Sequence, residues 1–277
     1  MDTLIKFPRT AHLEGSRLQI GDEDSSHVPY SALAGKYIVV EEKLDGANSG
    51  IRFDSQAGLR LQSRGHYLTG GGREKHFTLL KSWSVAHEER LFDILSDRYL
   101  MYGEWMYSKH TVFYDRLPHY FLEFDIYDTQ HQRFLSTAAR RELLAGSPVV
   151  SVPILYEGIA PRCLADLLAL IRPSLAKSPA WRESLHHAAI RQGLDAKRIA
   201  LETENSDLAE GIYIKVEQDA ETVDRLKWVR ADFQQTITDN DTHWLARPIV
   251  PNQLAAAVDI YSPHTRGWAT DKSEPSP

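Results

Sequence analysis

Tyr37-Ile38-Val39-Val40 is aromatic and β-branched and runs into Glu41-Glu42-Lys43, after which Asp45-Gly46 supplies a turn. The pattern therefore predicts a buried strand over 37–43 that ends at Lys43. Shorter runs predict strands over 49–54 and 59–64. Phe77, Leu80, Trp83, Leu91 and Leu95 then recur at near-helical spacing, which predicts a core-facing helical stretch over 75–96. Strand character returns over 99–105 and 120–127. Ser136 is a good N-cap and opens a helix-rich stretch to about residue 195, with helices over 163–171 and 181–190. A last pair of strands is read over 211–217 and 222–230. Residues 1–36 read as irregular and polar, with an acidic loop over 21–24. The polar, Pro-containing stretch over 271–277 reads as disordered.

Composition narrows what such a chain can do. A length of 277 residues with 42% hydrophobic content supports a sizeable core, as one large domain or a main domain with a subdomain. A net charge of -6 argues against a protein held to nucleic acid by its global field, so any polyanion site must be focal. The one cysteine, Cys163, excludes an intramolecular disulfide, and no Cys/His cluster has zinc-ligand spacing, which points to a reducing compartment. No apolar run reaches membrane-spanning length, and Asp2, Lys6 and Arg9 stand where a signal peptide would carry its apolar core. The expectation is a soluble, cytoplasmic protein with no membrane partner.

The chemistry centres on Glu42-Lys43-Leu44-Asp45-Gly46-Ala47-Asn48. A lysine at a strand end can face a pocket, and it attacks an electrophilic phosphorus only as the neutral amine. Lys-x-Asp-Gly by itself also describes an ordinary hairpin with an exposed lysine. Four further segments become intelligible if Lys43 attacks the α-phosphate of a nucleotide. Ser63-Arg64-Gly65 offers a guanidinium fork for phosphate or ribose, against a surface arginine at a turn. Glu104 in Tyr102-Gly103-Glu104-Trp105 could hold a ribose hydroxyl or a metal-bound water. Phe124, in the alternating run 121–126, is either core or a stacking platform for a purine. Glu210 and Lys215 bracket an alternating strand, and Arg225 and Lys227 share one face of the next, where two cations could neutralise a triphosphate and the departing pyrophosphate. Gly70-Gly71-Gly72 lacks a following Gly-Lys-Ser/Thr and reads as a turn rather than a phosphate loop.

In that order these motifs resemble the covalent nucleotidyltransferase superfamily of polynucleotide ligases and capping enzymes. Within it the chain is similar to the ATP-dependent RNA ligase family, in the branch of the phage enzyme that seals nicks in duplex RNA. The resemblance covers roughly residues 37–230. It matches Lys43 to the adenylated lysine, Asp45-Gly46 to its signature, Asn48 to an asparagine typical of the RNA ligase branch, and Arg64 to the second motif. Glu104 matches the Gly-Glu motif, Phe124-Asp125 the Phe-Asp motif, and Glu210 with Lys215 the Glu-Gly-x-x-x-Lys motif. The last motif is Lys-x-Lys in the family, and here Arg225-Leu226-Lys227 substitutes its first position, with Arg230 as a rival.

The resemblance implies an α+β fold of antiparallel β-sheets flanked by helices, an ATP-grasp-like nucleotidyltransferase domain over 1–230 with a helical insertion at about 136–195. Residues 231–277 form a short appendage, marked by Trp244, Pro248 and Pro251, too small for a C-terminal OB barrel plus a disordered end. It implies ATP and Mg2+ or Mn2+ as cofactors, with Glu104 and Glu210 near the metal, directly or through water. Its partners would be RNA with 5′-phosphate and 3′-hydroxyl ends and an end-processing kinase or phosphatase. The reaction would pass through lysyl-AMP in RNA repair. A DNA ligase or capping-type guanylyltransferase shares the lysine chemistry. A non-enzymatic nucleotide- or RNA-binding module would need neither Lys43 nor the opposing charges.

Overall fold

The computed structural model describes residues 3–18, 27–233, 248–263 and 267–268. The loop over 21–24, Trp244 and the stretch over 271–277 lie outside the described residues. The strands are β1 (Ala11–Leu13), β2 (His27–Val28), β3 (Tyr37–Lys43), β4 (Ala47–Phe53), β5 (Leu59–Ser63) and β6 (Tyr99–Trp105). They continue as β7 (Phe121–Asp128), β8 (Arg133–Phe134), β9 (Val150–Ser151), β10 (Ile154–Ile159), β11 (Gly211–Gln218) and β12 (Glu221–Val229). The helices are α1 (Thr78–Ala86), α2 (Glu88–Leu95), α3 (Thr137–Leu143), α4 (Leu164–Leu168), α5 (Trp181–Arg191) and α6 (Ala196–Leu201).

Two sheets form, one in the order β10-β3-β11-β12-β1-β2 and one in the order β5-β4-β6-β7-β8 with β9 beside β7. The pairings are antiparallel except β1 with β12, β1 with β2 and β7 with β9. This is the expected α+β class, and among the described residues no strand follows Val229, so no barrel closes there.

The first sheet has two unlike faces because strand side chains alternate. Ile38, Val40, Ile212, Ile214, Val216 and Leu226 form an apolar face that packs with Leu167 of α4. The opposite face carries Glu41, Lys43, Tyr213, Lys215, Arg225 and Lys227, brought into rows by the pairs Gly211↔Lys43, Tyr213↔Glu41, Tyr213↔Lys227 and Lys215↔Arg225. This charged face cannot be left against apolar surface, and it is where the second sheet and α3 approach. The second sheet buries its own apolar residues under α1 and α2, where Leu80, Trp83, Leu91 and Leu95 pack with Ile51, Met101 and Phe121.

Two departures from the sequence reading have physical causes. The helical stretch over 75–96 is divided: a 3-10 turn over Gly72–Phe77 precedes α1, and His87 (φ -113°, ψ 16°) separates α1 from α2. Glu88 and Glu89 favour a new helix N-terminus there, where acidic side chains meet the positive end of the helix dipole. The stretch over 136–195 begins with a helix capped as expected, Ser136 Oγ accepting from Ala139 N at 3.3 Å, but it also holds β9 and β10. β10 is short and half-exposed and is defined by its backbone pairing with β3, which periodicity does not report. Described residues after 230 bond to the rest of the fold. Asn252 is fully buried, its Oδ1 accepting from Tyr114 N at 2.9 Å and its Nδ2 donating to Met106 O at 2.6 Å, and Trp83 Nε1 donates to Ile260 O at 2.9 Å.

Candidate active site

A cavity of about 930 Å³ lies between the charged face of the first sheet and the β4–β6 side of the second. Ten of the twelve candidate residues line it: Glu42, Lys43, Asp45, Gly46, Asn48, Arg64, Glu104, Phe124, Glu210 and Lys227. Lys215 and Arg225 do not.

The strand registers build the centre. Gly211 sits opposite Lys43, so Glu210, one residue before β11, falls beside the lysine, and Lys43 Nζ lies 2.7 Å from Glu210 Oε1. Asn48 pairs with Glu104 across β4 and β6, and the Gly46 amide donates to Glu104 Oε1 at 3.0 Å. A side chain at position 46 would put its Cβ 2.8 Å from both Met106 Sδ and the Trp105 carbonyl, so the turn requires glycine for close approach. Asp45 lines the cavity and also bonds within the protein. Its Oδ2 accepts from the Thr111 and Val112 amides at 2.7 and 2.8 Å, while its own amide donates to the Tyr114 hydroxyl at 2.9 Å. These bonds fix the turn that follows Lys43 to the loop over 110–114.

The electrostatics are those of an acidic pocket around one amine. Burial pushes the Lys43 amine down, but Glu210, Asp45 and Glu104 outweigh burial and hold it above the ordinary lysine value. The pocket therefore favours the ammonium form of Lys43. Burial pushes Glu104 up to about 8, with Asp45 and Glu210 adding to it and Lys43 and the Gly46 amide opposing it. Burial also lifts Glu42 to about 7, against the Ser174 hydroxyl and Leu175 amide that donate to it. Among the described residues no three His, Cys, Asp or Glu side chains form a ready-made metal cage. The donors present are carboxylate oxygens whose mutual repulsion a cation would relieve, which fits a hard divalent ion such as Mg2+ or Mn2+ held largely through its own waters.

Lys215 and Arg225 belong to a sealed ion network at the far end of the same sheet face. Lys215 Nζ is 2.8 Å from Glu41 Oε1 and 3.7 Å from Asp125 Oδ1, and Arg225 Nε is 2.8 Å from Asp125 Oδ2. Arg140 of α3 completes it, reaching Glu41 at 2.8 Å and Glu123 at 2.7 Å. Three cations thus meet three carboxylates. Burial pushes Asp125 up, but Lys215, Arg225 and Arg140 outweigh it and hold the carboxyl below its usual range. Arg140 and Lys215 also donate to the Phe124 carbonyl, which pins the backbone of a residue whose ring lines the cavity. Arg230 is buried against Glu204 at 3.2 Å and the Ala209 carbonyl at 2.7 Å and, like Arg225, does not line the cavity.

Several lining residues escaped the sequence reading: Lys6, Phe7, Pro8, Arg9 and Thr10 from the segment expected to be irregular, together with Tyr213 and His110. The available signal was an aromatic residue between two cations in Lys6-Phe7-Pro8-Arg9.

A family model described as RNA ligase matches residues 36–229. Among solved structures, two mutants of the Naegleria gruberi RNA ligase, each with ATP and Mn, superpose with a TM-score of 0.50 at 18% identity, covering 83% of this chain. They share the fold. The chain covers 58% and 57% of those two chains, and about half, 51%, of another structure of the same ligase, with a TM-score of 0.46. No curated protein matches the chain. No helix among the described residues is long and apolar enough to cross a membrane.

Proposed function

We propose a function from one premise: the chain belongs to the RNA ligase family. The reading is an ATP-dependent RNA ligase that joins a 5′-phosphate to a 3′-hydroxyl through AMP carried on Lys43, as a repair activity. The observation that carries it is the placement of Lys43 at the end of β3, inside the cavity and 2.7 Å from Glu210, with Glu104 and Lys227 lining the same space.

The chain's own groups divide the work. Lys43 must lose its proton before its amine can form a bond to the α-phosphorus of ATP, and the bond to pyrophosphate breaks as that bond forms. Glu210, Glu104 and Asp45 hold the proton on Lys43 until their charge is offset. A divalent ion near Glu104 and Glu210, held through water, would supply that offset and counter the phosphate charge. Lys227 projects from the cavity face of β12, where its ammonium can stabilise charge developing on the phosphates. Phe124, lining the cavity, is placed for the nucleoside, its ring offering an apolar platform, while the Glu42 carboxyl is held by the Ser174 hydroxyl and the Leu175 amide. In the second step an oxygen of the RNA 5′-phosphate takes the AMP from Lys43, and in the third a 3′-hydroxyl displaces AMP. Asn48, beside Glu104, is assigned to the transfer to RNA. Breaks that carry 5′-hydroxyl and 3′-phosphate ends would first need a kinase and a phosphatase, so an end-processing enzyme of that class is the proposed upstream partner for such breaks.

The test uses ATP radiolabelled on its α-phosphate. Label should stay on the denatured protein, map to Lys43, and vanish in Lys43→Ala and in Lys43→Arg, whose guanidinium stays protonated. Label from GTP instead, or an adduct on Lys36, Lys215 or Lys227, would sink the assignment. Matched nicks with an all-RNA or all-DNA 3′-hydroxyl strand then read the substrate: equal sealing, or preference for DNA, overturns the RNA reading while leaving the covalent lysine intact.

A further inference from the structure

The segment from Ile5 to Thr10 is a strap tied at both ends. The Ile5 carbonyl accepts from Gln62 Nε2 at 2.8 Å and from the Tyr102 hydroxyl at 2.9 Å, both on the second sheet. Thr10 Oγ1 lies 3.0 Å from the Tyr213 hydroxyl on the first. Burial holds the Tyr102 phenol well above its ordinary value, so it remains a donor. Midway, the Phe7 ring sits edge-on to Tyr102, Phe124 and Phe134 at centroid distances of 5.0, 5.1 and 5.8 Å. Anchors of this kind fix a short stretch of chain that forms no strand or helix of its own.

What the strap presents is charge. Lys6 and Arg9, on either side of Phe7-Pro8, are exposed and line the cavity, and among the described residues neither is held in a salt bridge. Of the other lysines and arginines that line the cavity, Lys43 is paired with Glu210, Lys227 sits on the half-buried face of β12, and Arg64 is exposed after β5. A chain of net charge -6 repels a polyanion at long range, so a strand end can approach this acidic pocket only where local cations reverse the field. We propose that Lys6 and Arg9 form a phosphate-binding rim that holds the backbone of the RNA strand whose 5′-phosphate accepts AMP. The proposal rests on the ligase reading. It assigns the strap to the nucleic acid rather than to the β- and γ-phosphates of ATP, because both cations are solvent-exposed whereas Lys227 projects from the half-buried face beside Tyr213.

The full-length protein and the double variant K6Q/R9Q decide it. Binding of a fluorescent, 5′-phosphorylated single-stranded RNA, read by anisotropy across a salt series, should weaken about tenfold at low salt. The slope of log K against log[salt] should flatten by about 1.4, or about 0.7 for each phosphate no longer neutralised. Lysine labelling from ATP should keep its ATP dependence, while transfer of AMP to RNA falls. Unchanged RNA binding and slope overturns the proposal. So does a raised ATP requirement for labelling with RNA binding intact, which would assign the strap to the nucleotide. If the wild-type protein takes no label, the ligase reading fails, and the anisotropy arm still reports on the rim because it needs no adenylylation. Should the double variant melt early, K6Q and R9Q singly carry the test, each flattening the slope by about 0.7.

Discussion

Glu42→Gln should make the protein less sensitive to rising pH. The carboxyl is almost fully buried, 3% exposed, and burial raises it from 4.5 to about 7 despite the donors at Ser174 and Leu175. A tenfold change in proton affinity is about 1.4 kcal/mol, so ionised Glu42 costs the fold about 3 kcal/mol relative to its protonated form. Below pH 4.5 the group is protonated in both folded and unfolded chains, and its contribution is fully present. As pH rises toward about 7 the unfolded chain ionises first, and the contribution drains away. Glutamine keeps the shape and cannot ionise, but it turns an amide N–H toward a donor and loses one hydrogen bond, a pH-independent cost of about 1 kcal/mol. The variant should therefore be slightly less stable than wild type near pH 5 and more stable by about 2 kcal/mol near pH 8.5. Urea unfolding at both pH values measures it, and other titrating groups drop out of the variant-minus-wild-type difference where they do not touch Glu42. A difference that stays constant with pH, or that moves against the variant as pH rises, refutes the reasoning.

Glu210→Gln should lower the Lys43 pKa, because the carboxylate that opposes burial is gone and burial then dominates. The pH dependence of Lys43 modification by an amine-reactive ester, followed by peptide mass spectrometry, should shift to lower pH, and an unchanged midpoint would count against the ion pair. Lys215→Met should cost about 3–5 kcal/mol and lower the melting temperature sharply, because Glu41 and Asp125 keep their buried charge with one cation fewer. Wild-type melting with selective loss of ATP labelling would instead return Lys215 to the nucleotide site. Asn48→Ala should slow AMP transfer to RNA more than labelling of Lys43, in single-turnover assays of the separate steps, and equal slowing of both would remove the RNA-specific role.

How much of this was legible depends on whether a residue's role is local. The strand ending at Lys43 could be read because Ile38, Val39 and Val40 are buried together and the following turn is written in Asp45-Gly46. Glu104 and Glu210, which line the cavity, could be singled out because each lies at a strand end beside a glycine. Arg225 and Lys227 were read onto one sheet face, where they do lie, but Arg225, like Lys215, is held in the ion network and does not line the cavity. Alternation fixes the face, but the position along the strand at which the second sheet and α3 close over it is a tertiary fact. Arg140 shows the same limit from the other side. In sequence it is one of two arginines on a short helix, yet it is 2% exposed and bridges both sheets, while neighbouring Arg141 is 53% exposed. The strap over Lys6–Thr10 has no period to detect, since its order comes from side chains of β5, β6 and β11 bonding to it.

The division of the charged face has a consequence for catalysis. Its sealed end is balanced, with Arg140, Lys215 and Arg225 set against Glu41, Glu123 and Asp125, so it exerts little net field on the cavity and serves as a fixed floor. Its open end is unbalanced, with Glu210, Glu104 and Asp45 around a single Lys43. Glu210 foremost, with Asp45 and Glu104, favours the protonated amine in the absence of nucleotide and cation. The same carboxylates draw in the divalent charge that a nucleotide triphosphate carries, and that charge removes the reason for Lys43 to keep its proton. On the proposed function, loss of the Lys43 proton would thus be coupled to arrival of the nucleotide. A balanced pocket would lack that coupling: replacing Glu104 by glutamine should lower the Lys43 pKa in the resting protein and yet reduce labelling from ATP.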